Sequence, residues 1–77
     1  MTAKYSQLSG KELIKALQKV GFLIISQKGS HIKLRKISAP IKTVVVPNHR
    51  IIRPGTLNNI LKLAQLDRDK LQELFKK

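Results

Sequence analysis

Along the chain the spacing of apolar residues passes from helical to alternating and back to helical. Leu13, Ile14, Leu17 and Val20 recur on one helical face, with Lys11, Lys15, Gln18 and Lys19 largely off it. Ser9-Gly10-Lys11-Glu12 fits the S-x-x-E capping box, in which serine and glutamate side chains take up each other's backbone donors. Leu8 and Leu13 have the spacing of the hydrophobic staple. Gly21 stands where a left-handed helix end is wanted, and Phe22 can pack back on Leu17. Both ends of this predicted helix are marked.

From Phe22 to Gln27 the chain is rich in β-branched and aromatic residues and reads as a strand. Lys28-Gly29 supplies a turn, and Ser30 to Lys36 alternates as the second arm of a hairpin. After the loop Ile37-Ser38-Ala39-Pro40, a third strand covers about Lys42 to Val46 and is closed by Pro47. An irregular basic stretch runs from Pro47 to Gly55. Thr56 is then expected to cap a second helix with Leu57, Ile60, Leu61 and Ala64 on one face, and Asp67 a last short helix ending in Leu74 and Phe75. The order α-β-β-β-α, plus a small terminal helix, predicts an α+β two-layer sandwich: a three-stranded antiparallel sheet with helices on one face. At 77 residues the chain is read as one domain, 1–77, with no room for a cofactor-swallowing pocket.

Charge changes the picture more than length does. Sixteen Lys and Arg face four Asp and Glu, a formal net charge of +12. Such self-repulsion opposes a compact state, so a polyanionic partner is expected. Nucleic acid fits best, because each phosphate neutralised releases condensed counterions. A membrane surface would want an amphipathic helix with aromatic anchors. Only Tyr5, Phe22 and Phe75 are aromatic, and two of them sit where a core wants them. The absence of cysteine removes disulfides, thiolate zinc sites and thiol nucleophiles. Met1 to Leu8 lacks the apolar run of a signal peptide, so a cytoplasmic protein is expected.

The second strand carries the candidate chemistry. Alternation puts Ile32 and Leu34 on one face and His31, Lys33 and Arg35 on the other. With the apolar pair turned to the helices, a histidine and two cations line up on the open face beside the Gly29 turn. Attack of a ribose 2′-hydroxyl on the adjacent phosphate asks for little else: a group titrating near neutrality to move the proton, and cations to hold the added negative charge. Plainer readings stand beside this one. His31 can be a solvated residue next to a turn, Lys33 and Arg35 edge charges that discourage strand pairing, and Gly29 a turn residue needing positive φ. His49, the other histidine, reads as a polar loop residue, a phosphate contact or a second proton carrier. Glu12, Asp67, Asp69 and Glu73 have no clustered metal-ligand spacing, and neither a G-x-S-x-G elbow nor a P-loop is present. No metal or other cofactor is expected.

Leu8-Ser9-Gly10-Lys11-Glu12-Leu13, Gly21-Phe22 and Gln27-Lys28-Gly29-Ser30-His31, followed by Val44-Val45-Val46-Pro47-Asn48-His49, Pro54-Gly55-Thr56-Leu57 and Ile60-Leu61, resemble the HicA toxin family with its G-S-H signature. The likeness runs from Leu8 to about Leu66. It implies a fold like a double-stranded-RNA-binding domain and the activity of an mRNA interferase, the toxin of a toxin–antitoxin system held inactive by a HicB antitoxin. It also implies that the histidine of G-S-H, here His31, is catalytic. Strand alternation, not the likeness, adds Lys33 and Arg35 as phosphate contacts. With Lys28, Gly29, Ser30 and His49, whose role the likeness does not fix, they are the expected contacts to single-stranded or weakly structured RNA, and the missing ligand cluster makes the expected cleavage metal-independent. The competing expectation is an RNA-binding module of the same fold that does not cut.

Overall fold

The structure, a computed structural model, describes residues 8–75, with side chains to residue 74. Tyr5, the polar lead before Leu8 and the side chain of Phe75 lie outside that description. Helix α1 spans Gly10–Lys19, strands β1 to β3 span Phe22–Lys28, His31–Lys36 and Lys42–Pro47, and helices α2 and α3 span Pro54–Ala64 and Arg68–Phe75. The fold is α+β, with an antiparallel sheet in the order β1-β2-β3.

Local signals account for most boundaries. The capping box forms: Ser9 Oγ accepts from the Glu12 N–H and Glu12 Oε1 from the Ser9 N–H, both at 3.1 Å. Leu8 and Leu13 are both fully buried, as a staple requires. Gly21 ends α1 at φ +102, where a side chain would be strained. Asp67 Oδ1 accepts from the Lys70 N–H at 2.7 Å and caps α3. Thr56 does not cap α2. That helix begins at Pro54, with Arg53 as its extended N-cap and no side-chain cap bond. The proline ring presets helical φ at the first position and lacks the N–H that would need a partner there, so the helix starts before the threonine. The strands differ from expectation by a residue: β1 and β3 reach Lys28 and Pro47, and β2 begins at His31 rather than Ser30.

One core joins the layers. Ile32 and Leu34 of β2 and Val44 and Val46 of β3 meet Leu13, Ile14 and Leu17 of α1, and Leu57, Ile60, Leu61 and Ala64 of α2. Each large side chain so buried contributes about 1.5–3 kcal/mol. Helix α3 belongs to this core through Leu71, fully buried, and is tied to its neighbours by Lys19 Nζ donating to the Leu74 carbonyl at 2.6 Å and Arg68 Nη2 to Asn58 Oδ1 at 2.9 Å.

Strand β1 departs from the two-layer pattern. Only Phe22 is buried, while Leu23, Ile24 and Ile25 are 49%, 48% and 42% exposed. A bulge between Ile24 and Ser26 interrupts its pairing with β2. Its other edge has no partner strand among the described residues. The helical layer covers β2, β3 and the start of β1, and the rest of this apolar edge lies open.

Candidate nucleic-acid interface

The outer face of the sheet is built by register. His31 opens β2 with Lys28 on one side and Pro47 on the other; Lys33 stands between Ser26 and Val45, and Arg35 between Leu23 and Thr43. All three β2 residues are exposed, while Ile32 and Leu34 between them are buried. Arg35 Nε donates to Thr43 Oγ1 at 3.4 Å, which steers the guanidinium across the sheet toward β3. The turn before His31 takes Gly29 through φ +59, and a side chain there would meet open space, so backbone conformation alone favours glycine.

The loop after β3 folds back beside this row and is held at several points by backbone hydrogen bonds. The Asn48 N–H donates to the Ser30 carbonyl at 2.6 Å, joining the loop to the turn that carries His31. The Gly10 N–H donates to the His49 carbonyl at 2.9 Å, and the Ile52 N–H to the Leu8 carbonyl at 2.8 Å, joining it to the start of α1. These contacts need a bare backbone at Gly10. A Cβ there would lie 2.4 Å from the Pro47 carbonyl oxygen and 2.9 Å from the Asn48 Cα.

Loop and sheet enclose a cleft of about 430 Å³. His31, Val45 and Pro47 line it from the sheet, His49 and Ile51 from the loop, and Arg53 and Thr56 from the start of α2. The two histidines therefore share one cleft, although they are far apart in the sequence. Lys28, Gly29, Ser30, Lys33 and Arg35 do not line it: the turn stands beside it and the two β2 cations continue along the open face. Arg53 and the first turn of α2 were not among the sequence candidates. Pro54 was the available signal, since a proline at the first helical position puts the helix start, with its positive dipole end, at this loop.

Electrostatics are one-sided here. No Asp or Glu occurs between Glu12 and Asp67, so strands, loop and α2 contribute cations and no carboxylate. Glu12 is engaged in the α1 capping box and Asp67 caps α3. Among the described residues no group of three or more His, Asp or Glu is placed to hold a metal ion, and no helix is long and apolar enough to cross a membrane.

Fold and site together define a small, strongly basic α+β protein whose open sheet face and adjoining cleft are cationic and carry both of its histidines. The family model described as the HicA toxin of bacterial toxin–antitoxin matches residues 10–66. The chain belongs to the HicA toxin family. No curated protein matches it.

Proposed function

We propose that this toxin is a metal-independent endoribonuclease that cuts mRNA at the His31 face. The observation that carries the reading is the alternation of β2, which leaves His31, Lys33 and Arg35 exposed in a row on a sheet whose three strands contain no Asp or Glu. A phosphate on this face is attracted by cations that a neighbouring acid would otherwise neutralise, and the imidazole is the group able to move a proton near neutrality. Lys33, Arg35 and the Lys28-Gly29-Ser30 turn hold the strand of RNA, and His31 acts on the 2′-hydroxyl. The family membership supports the toxin role. A cytoplasmic site of action follows from an mRNA substrate.

The test is incubation of labelled RNA with the purified chain in EDTA. Shortened products ending in 2′,3′-cyclic phosphate and 5′-hydroxyl are expected, and a 2′-deoxyribose at the cut site should block cleavage there. Binding without shortening would favour the non-cutting RNA-binding module. Cleavage at the deoxy position would contradict attack by the 2′-oxygen.

The partner proposed for this face is an acidic HicB-type antitoxin whose carboxylates meet the same cations and cover His31. Charge of this sign speeds the encounter, with an association rate that falls as salt rises. RNA added to the purified complex should remain intact. A ternary complex that still cuts would refute masking.

A further inference from the structure

We propose that His49 is the second proton carrier of the reaction, working with His31 in the cleft that both line. This rests on the RNA-cutting reading and assigns a part of the chemistry that His31 alone leaves open.

Transesterification of RNA moves two protons, one leaving the 2′-hydroxyl and one arriving at the 5′-oxygen. Histidine is the side-chain type suited to passing a proton near neutrality, whereas lysine and arginine stay charged well above it, and the chain has two, His31 and His49. Both line the same cleft. Nor is His49 a loosely held loop residue. The bond from Asn48 to Ser30 ties its predecessor to the residue before His31, and its own carbonyl accepts from Gly10. Its backbone does the holding, which leaves the exposed imidazole free for other work.

In the step itself the neutral imidazole takes the 2′-hydroxyl proton as the 2′-oxygen bonds to phosphorus. The imidazolium gives its proton to the 5′-oxygen as the P–O5′ bond breaks. A 2′,3′-cyclic phosphate and a 5′-hydroxyl leave, and the two histidines have exchanged protonation states. Arg53, on the same cleft, is placed to balance charge on the phosphate between them.

A substrate with sulfur in place of the bridging 5′-oxygen separates a proton carrier from a phosphate contact, because a thiolate leaves without a proton. On ordinary RNA His49→Ala should lose about 10²–10⁴-fold in kcat, with KM little changed, and one limb of the bell-shaped pH profile should disappear. On the sulfur substrate one of the two variants, His49→Ala or His31→Ala, should recover. Recovery of His49→Ala makes His49 the acid and recovery of His31→Ala makes it the base, and either result supports the pairing. A His49→Ala chain that cuts ordinary RNA near the wild-type rate, loses only in KM, or leaves neither variant rescued overturns it. A wild-type chain that cuts neither substrate overturns the RNA-cutting reading as well.

Discussion

Replacing His31 by alanine is expected to abolish RNA cleavage while the fold and most RNA affinity persist. The imidazole is exposed at the first position of β2, outside the core that Ile32 and Leu34 enter, so its loss opens no cavity. A surface substitution of this kind changes stability by about 0.5 kcal/mol or less. Lys28, Lys33 and Arg35 keep their places in the register and continue to attract phosphate. Removal of a proton-transfer group costs about 10²–10⁴-fold in rate, enough to separate growth arrest from normal growth when the two chains are expressed side by side. Initial rates and thermal melts on the same preparations decide the matter. A His31→Ala chain that melts like the wild type and cuts nearly as fast would remove His31 from the chemistry.

Gly10→Ala should destabilise the protein and slow cleavage together, against the usual sign of such a change. In an unhindered helix this substitution gains up to about 1 kcal/mol from helix propensity. Here the new methyl would sit 2.4 Å from the Pro47 carbonyl oxygen and 2.9 Å from the Asn48 Cα, both backbone atoms that cannot swing aside. Either α1 or the loop must shift by about 1 Å to restore ordinary contact, and strain of this kind costs about 1–3 kcal/mol. The shift also stretches the bonds from Gly10 to His49 and from Ile52 to Leu8, worth about 1 kcal/mol each. Steric strain and lost bonds outweigh propensity. Because the displaced segment carries His49 and adjoins Pro47, the partner of His31, the cleft changes shape as well. Misplacement by about 1 Å can cost about 10²-fold in rate. Gly55→Ala is the control, since nothing lies within 4 Å of a methyl there, and it should be neutral or stabilising. A Gly10→Ala chain as stable as wild type would show that the two backbones part without cost.

The fold was legible where local chemistry decides it, and the site only where it lies on one element. Ser9 and Glu12, Gly21 and Asp67 marked helix ends through groups a few residues apart, and those marks hold. The row His31, Lys33, Arg35 followed from the two-residue repeat of a strand. Thr56 misled because its own capping preference was weighed without the stronger demand of Pro54 two residues earlier. The cleft was not legible, because the stretch from Pro47 to Gly55 has no periodicity and its course is set by backbone contacts with residues 8–10 and 30. The exposure of Leu23, Ile24 and Ile25 was hidden for a related reason. An apolar run shows that a strand is favoured, whereas how far helices from elsewhere in the chain reach over it is a tertiary matter.

That apolar edge gives the surplus of cations a second task, a colloidal one. Two copies approaching along β1 would gain hydrogen bonds and hide Leu23, Ile24 and Ile25, as free edges tend to do. The net charge of +12 opposes the approach over a range set by the ionic strength, about 10 Å at 0.1 M salt against a molecule 32 × 27 × 22 Å across. A bound polyanion cancels that repulsion while leaving the edge as it was. The molecule is thus best dispersed when empty, and charge neutralisation by whatever it binds makes it more cohesive.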